Sequence, residues 1–407
     1  MPRETNDIID TALDLMSGLL APDNFKLWTI ISVISSLLAR RCWMPNDVGL
    51  PPAYPNLYIL LVGEPASGKD VSIGFGTNLL IEAQKLAEPR RIITLGAQSI
   101  SPKGIYDMLG PEGNATQNFT YNRKPHVFNS VTFHIPELST TMVDYNPLLV
   151  GVWNELYNCN PILRDTIRGR DIKINNPHAC LLLGNQPDTL FDVLPEKSFG
   201  MGLTSRIMFI QCFHETRGVL FTDEPRDVSA IYQKLVVDLH DVSLITGPFE
   251  PTREVKRYLN EFALDRPDWV KGRKWKNYNG RRPLHLQKLC MICAASERSN
   301  KIVEMRHLDR AYDFLTGYEK ELPRLFENVI SSRGYIEVFE QIDSFLANKK
   351  KIKHRDLTRE LARTRNIVEV DRLIIDCLKG GLLEIEKDTS FDPPIEKRPR
   401  TYLVRKT

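Results

Sequence analysis

The chain has 407 residues, 42% of them hydrophobic and 26% charged, which excludes a disordered or low-complexity polypeptide and suggests about two to four folded units. No apolar run reaches the roughly 18 residues of a membrane span, and seven scattered cysteines lack the paired framework of a secreted mini-domain, so a reducing, cytoplasmic setting with no membrane partner is expected. The net charge of +3 is too small to announce nucleic-acid binding, and residues 334–407 carry all of it, with 16 Lys/Arg against 13 Asp/Glu.

Residues 1–56 read as an N-terminal helical segment. Two helices fill 5–42, split at Ala21-Pro22-Asp23, with Asp23 as the expected N-cap of the second. Leu27 to Ala39, apolar but punctuated by Ser32, Ser35 and Ser36, reads as a buried helix, and a Pro-rich linker follows (Pro45, Pro51, Pro52, Pro55). Residues 57–248 alternate strand and helix signals. Asn56 to Val62 is a short β-rich run of the kind a buried parallel strand shows. Further strands are expected at 91–95, 131–135, 179–183 and 207–213. The alternation predicts a three-layer α/β core. Residues 249–333 read as a helical lid. Residues 334–407 read as helix, short strand, two helices and a two-stranded wing (382–386 and 401–405), a winged-helix pattern.

The first strand runs into Gly63-Glu64-Pro65-Ala66-Ser67-Gly68-Lys69-Asp70, and helix-compatible sequence from Val71 to Ala87 follows. This is G-x-x-x-x-G-K in its strand–loop–helix context, a P-loop for ATP. The glycines let backbone N–H groups and the helix N-terminus face an anion, and Lys69 is expected to reach the β- and γ-phosphates. The usual Ser or Thr after the lysine, a Mg²⁺ ligand, is Asp70 here. A carboxylate is a hard oxygen donor, so Asp70 is a candidate metal ligand. Alternatively Asp70 caps the helix, and Ser72 or water serves the metal.

The strand at 131–135 ends in Pro136-Glu137. Glu137 is the candidate to polarise an attacking water, and Pro136 stands where an aspartate usually helps hold Mg²⁺. The strand at 179–183 leads to Asn185-Gln186-Pro187, and Asn185 is placed to sense the γ-phosphate. Gly202-Leu203-Thr204-Ser205-Arg206 precedes the last strand. At a subunit edge Arg206 would act as an arginine finger on a neighbour's nucleotide, a contribution often of about 10³–10⁵ in rate.

Together these segments resemble, in order and spacing, minichromosome-maintenance-type AAA+ helicases. They are similar still to the helicase-like replication proteins of phages, plasmids and mobile elements, whose Leu-Tyr-x-x-x-Arg and Gly-Leu-x-Ser-Arg segments correspond to Leu156-Tyr157 through Arg164 and to Gly202–Arg206. The likeness spans about residues 25–330. It implies a ring, typically a hexamer, with ATP and Mg²⁺ between subunits and DNA in the central channel. It also implies a sensor arginine from the lid. Gly280-Arg281-Arg282-Pro283 opens the helix 284–297 and makes Arg281 the choice and Arg282 the alternative. The family carries a pore hairpin just before the Asn185 strand. Here Ile162 to Ile174 reads as a hairpin, with Arg168 and Arg170 at its tip and Lys173 on its flank, suited to gripping phosphates without reading sequence.

A second patch, Lys271 to Tyr278, interleaves aromatics with charge as single-strand binders do, or forms lid surface. In the C-terminal segment, 353–363 and 367–380 would form a helix-turn-helix for duplex DNA or for a protein, with Lys397, Arg398 and Arg400 on the wing. Cys290 and Cys293 lack a second ligand pair and read as core residues rather than a zinc site. The expected function is an ATP-dependent DNA helicase or translocase in replication of a phage, plasmid or mobile element, with a primase or polymerase as partner. The alternatives are a loader or switch ATPase that does not unwind, and a DNA-binding initiator that does not hydrolyse ATP.

Overall fold

Asp7 opens helix α1 (Ile8–Leu15): its carboxylate accepts from the Asp10 N–H at 3.0 Å, satisfying one of the donors a helix start leaves unpaired. The computed structural model describes residues 3–47, 49–142, 144–167, 170–195, 198, 202–212, 227–265, 270, 275–323, 325, 352–361, 370, 374, 383–387 and 401–405. The chain divides into two compact units, Met1–Pro323 and Arg324–Thr407.

Helix α2 (Asp23–Leu38) is buried nearly all round, as its lack of a polar face requires. Its expected N-cap shifts by one residue. Pro22 holds the cap position with an extended ψ of 145°, and Asp23 is the first helical residue, where it accepts from Lys26 at 3.2 Å. Of its serines, Ser35 fits burial by pairing its hydroxyl: Oγ donates to Pro55 O at 2.7 Å. After β1 (Cys42–Trp43) comes the buried strand β2 (Tyr58–Gly63), then helix α3 (Lys69–Ala87). Gly76 of α3 lets α2 approach closely, since a Cβ there would sit 2.5 Å from the Thr29 methyl.

Helix α4 (Pro102–Leu109) is capped by Ser101, and α5 (Pro147–Asn158) by Asn146. Between them lie β3 (Thr116–Tyr121) and β4 (Lys124–Ile135). Then follow β5 (Ile162–Ile167), β6 (Arg170–Asn175), β7 (Pro177–Asn185), α6 (Pro187–Val193), β8 (Ile207–Cys212) and α7 (Ser229–Leu244). The main sheet has the order β3-β4-β7-β2-β8, and only β3 runs antiparallel. The expected strand at 91–95 is reduced to a single parallel bridge, Leu95 to Thr132. The physical reason is β4. It is 12 residues long, and β3 takes the first half of its outer edge.

The fold is thus mixed α/β around a mainly parallel sheet. Strand β9 (Gly247–Pro248) pairs with β1, and β10 (Glu250–Pro251) pairs with β11 (Ile302–Val303). The helical region contributes α8 (Arg253–Asp265), α9 (Lys276–Asn279), α10 (Arg282–Glu297) and α11 (Met305–Glu319). Pro283 lies in the first turn of α10, as expected, and Cys290 and Cys293 are buried core residues.

In the second unit, β12 (Ile352–Lys353), the helix His354–Leu361, β13 (Leu383–Lys387) and β14 (Thr401–Arg405) are described, with the antiparallel order β12-β14-β13. Val370 and Ile374 are helical and buried within the expected helix 367–380. Lys397, Arg398 and Arg400 lie outside the described residues. Among the described residues no helix is long and apolar enough to cross a membrane.

Candidate nucleotide site

The sheet has two chemically different ends. At the carboxyl ends of its strands, where open parallel sheets bind ligands, three neighbouring strands deliver the loop after Gly63, Glu137 and Asn185. Val62 is in register with Asn185, and Leu183 with Ile135, so the three segments leave the sheet side by side.

The loop from Gly63 to Lys69 is wound by two left-handed residues, Ala66 (φ 59°) and Gly68 (φ 84°). Gly68 has no alternative. A Cβ there would lie 2.3 Å from Leu20 O, so the α1–α2 connection closes against the loop. Lys69 is buried, and its ammonium donates to Gly63 O at 2.6 Å and Glu64 O at 2.8 Å. Burial lowers its pKa, while the carboxylates of Glu137, Asp70 and Glu64 act in the opposite direction. Asp70 and Val71 are exposed in the first turn of α3, beside Glu64, Pro65 and Ala66 at the loop crest. Ser72 is fully buried, and its hydroxyl has no partner. It faces the interior, whereas the Asp70 carboxylate is exposed at the loop.

Glu137 is half-buried and accepts from Ser139 Oγ at 2.9 Å. Asn185 is fully buried. Its Nδ2 donates to Gln186 O at 3.0 Å and Thr189 Oγ1 at 3.2 Å, and its Oδ1 is left without a partner. A buried acceptor without a donor is costly, and a water held there would satisfy it. Among the described residues no group of three or more His, Cys, Asp or Glu could hold a metal ion. The site fits only a cation completed by phosphate oxygens and water, the usual habit of Mg²⁺.

Arg206 and Arg281 do not join this group. Arg206 precedes β8, whose first residue is in register with Tyr58 at the start of β2, so it lies at the opposite end of the sheet. Five strand steps at about 3.3 Å each put it roughly 17 Å from the phosphate loop of its own chain. Nor does Arg206 project from the surface as a finger should. It is 6% exposed, donating to Gly202 O at 2.5 Å and to Asn158 Oδ1 at 2.9 Å. Arg206 is therefore held inward by a carbonyl and an amide on its two Nη atoms, with Nε left unpartnered, and does not project as a finger. Arg281, half-buried, donates its Nε to Ser205 Oγ at 3.0 Å. Arg282, the alternative sensor, is excluded by a buried bidentate pair with Glu319 at 2.7 and 2.9 Å.

The second cluster is larger than the sequence suggested. Lys288 is buried and donates to Asn56 O at 2.8 Å and Asn56 Oδ1 at 2.7 Å, its ammonium 3.8 Å from the centre of the Tyr157 ring. Arg206 lies over the same ring at 5.6 Å. Burial pushes the Lys288 pKa down to about 7, with Arg281 and Arg206 adding to the depression. Among the described residues no carboxylate lies within ion-pair distance of Arg206, Arg281 or Lys288. Asn158, Asn56 and Lys288 were not singled out from the sequence. Leu156-Tyr157, Gly202–Arg206 and Gly280-Arg281-Arg282-Pro283 are the local signals of this site.

The hairpin expected at 162–174 is present as β5 and β6, paired from Ile162–Asn175 to Ile167–Arg170. Lys173 is exposed on its flank. Arg168 and the side chains of Arg164 and Arg170 lie outside the described residues. The patch 271–278 is corrected in part. Trp275 is buried, and Tyr278 is locked to Tyr318 and Glu319, so neither ring is free to stack on a base. Lys271, Arg273 and Lys274 lie outside the described residues.

Compared with known proteins, the chain matches no protein-family model. No curated protein sequence matches it either.

Proposed function

We propose that the chain is an ATP-hydrolysing P-loop motor of the AAA+ type that acts on DNA as a ring-shaped helicase or translocase. One observation carries this reading: the Gly63–Asp70 loop, Glu137 and Asn185 converge at the carboxyl ends of adjacent strands. The strand order β4-β7-β2-β8, with Leu95 bridged to the outer edge of β4, is compatible with a three-layer AAA+ core.

In this reading the N–H groups of Glu64 and of residues 66–71 cradle the triphosphate at the N-terminus of α3, Pro65 having none to give. Lys69 leaves the Gly63 and Glu64 carbonyls for the β- and γ-phosphates. Asp70 would hold Mg²⁺ here, and the ion would supply neutralisation of the charge on the transferring phosphoryl group. Glu137 takes the proton of the attacking water, and Asn185 Oδ1 orients that water. The cationic cluster at the far end of the sheet is out of reach of its own nucleotide. Among the described residues no carboxylate forms an ion pair with it, so it suits the triphosphate of an adjoining copy, with Arg281 as the approaching group and Arg206 as its inner support. In such a ring, the Lys173 flank of the β5–β6 hairpin faces DNA phosphates. The β12-β14-β13 order is compatible with a winged helix, a module for DNA or protein contact.

The test is forked-duplex unwinding and DNA-stimulated ATPase for wild type, Lys69→Ala and Glu137→Gln. Lys69→Ala should lose both activities. Glu137→Gln should keep nucleotide binding and lose about 10²–10⁴ in turnover. Equal activity in all three rejects the motor. ATPase without unwinding assigns the chain to loaders or switches, and nucleotide binding without turnover assigns it to initiators.

A further inference from the structure

We propose that the β3–β4 hairpin is a second contact for single-stranded DNA, with Arg123 and Lys124 on backbone phosphates and His126 presenting a face to a base. The proposal rests on the DNA-acting reading above and extends it to a segment that no local motif marked.

The hairpin is paired from Thr116–Asn129 to Tyr121–Lys124, leaving Asn122-Arg123 as a two-residue turn. Both turn residues are left-handed, with φ of 49° and 60°. Such turns favour Asn-Gly, because the second position disfavours any Cβ. An arginine is held there instead. Strained backbone of this kind persists where the side chain has a use.

The charge is one-signed. Residues 113–136 contain no Asp or Glu, while Arg123 and Lys124 sit at the tip and His126 beside it. Residues 122–127 are all exposed, Val127 to 50%. Among the described residues neither Arg123 nor Lys124 has an ion-pair partner. The stem is rigid. Phe119 packs on Ala39 and Phe128, Tyr121 meets Trp43 edge-on at 5.2 Å, and the exposed His126 ring stacks on Phe119 at 5.0 Å and 17°. A cationic tip with an aromatic face beside it is the combination that holds a single strand without reading its sequence.

Its position adds an independent reason. The stem is stitched to the β5–β6 hairpin by asparagines: Asn129 Nδ2 donates to Asn175 O at 2.8 Å, and Asn176 Nδ2 donates to Val127 O at 2.9 Å. Both hairpins leave the same end of the sheet, away from the phosphate loop. A strand gripped by one would pass the other.

The experiment is fluorescence anisotropy of a labelled oligothymidylate over a series of salt concentrations, with DNA-free ATPase measured in parallel. Arg123→Gly relieves the turn, so it should melt at or above wild type while binding the oligonucleotide several-fold more weakly. Each lost phosphate contact should make the salt dependence shallower by about 0.7 in log–log slope, and Arg123→Gly with Lys124→Ala by about twice that. His126→Ala should weaken binding without changing the slope. DNA-free ATPase should be unchanged in all three. Unchanged affinity and slope in the double variant overturn the proposal, as does a wild type without affinity for the oligonucleotide. A wild type that binds the oligonucleotide through these residues but lacks ATPase leaves the proposal standing and removes the motor instead.

Discussion

Arg281 donates its Nε to Ser205 Oγ at 3.0 Å, and that hydroxyl donates to the Gly202 carbonyl that Arg206 also holds. The two arginines are therefore tied through one serine and one carbonyl oxygen, and displacing either disturbs the other. Gly202 is part of the arrangement, because a Cβ there would come within 2.9 Å of Asn154 Nδ2 and 3.1 Å of Arg206 Nη1. The Gly-Leu-Thr-Ser-Arg segment thus encodes a joint. Arg206 sits at the end of the sheet away from Lys69, and under the proposed ring the two ends would face each other across a junction between copies.

The first prediction tests whether those ends meet in a ring. Lys69→Ala and Arg281→Ala should each abolish DNA-stimulated ATPase. Mixed in equal amounts before assembly, they should recover part of it, because some junctions then join an intact loop on one copy to an intact Arg281 on the next. Asn158→Ala should lower kcat with little change in KM, since it loosens Arg206 without touching the phosphate loop. A mixture as dead as its components would reject completion by a neighbouring copy.

The readable parts of this site are those whose causes are local in sequence. The phosphate loop follows from one strand, one glycine-rich turn and one helix start, all within Tyr58–Ala87. The β5–β6 hairpin was legible because alternation and a turn glycine lie within 14 residues. The cationic cluster was not. Arg206 meets Asn158 across 48 residues, and Lys288 meets Asn56 across 232, and no spacing rule links such pairs. The β3–β4 hairpin was hidden for a different reason. Its turn is Asn-Arg, so the Asn-Gly signal that marks a left-handed hairpin turn is missing. The inward turn of Arg206 is not legible either, because a lone arginine before an apolar strand carries no sign of which way it points.

A second prediction follows from Lys288. In the folded chain its pKa is held at about 7, against 10.5 when free. Between those values the unfolded chain carries a proton that the folded chain lacks, so unfolding free energy rises with pH across that interval. Below about pH 7 both states are protonated and the contribution is flat, with the cost of the buried charge fully present. A neutral amine keeps two hydrogens, enough for both acceptors of Asn56. Chemical denaturation of wild type and Lys288→Met at pH 6.5, 8 and 9.5 reads the difference directly. The cysteines raised by burial, Cys42 and Cys293 at about 12, act in the opposite sense but are common to both proteins. Stability of wild type relative to Lys288→Met should increase with pH, and a flat difference would mean that Lys288 keeps its proton throughout.

The last prediction separates the phosphate loop from helix α3 behind it. Gly68 is left-handed, and a Cβ there would meet Leu20 O at 2.3 Å and Ala21 Cα at 2.6 Å. Both neighbours are backbone and cannot swing away, so Gly68→Ala must shift the α1–α2 connection or unwind the loop. A cost of about 1–3 kcal/mol from the strained backbone alone is expected, with a lower melting temperature. Gly74 lies on the exposed side of the same helix, with nothing within 4 Å of the position a Cβ would take. There Gly74→Ala should stabilise the protein by about 0.5–1 kcal/mol, because alanine restricts the unfolded chain and suits the helix interior. Differential scanning fluorimetry with and without ATP and Mg²⁺ completes the comparison. Wild type and Gly74→Ala should gain the same ligand-dependent increase in melting temperature, and Gly68→Ala should gain none. If Gly68→Ala melts with wild type and responds equally to nucleotide, the loop from Gly63 to Lys69 is not where the triphosphate binds.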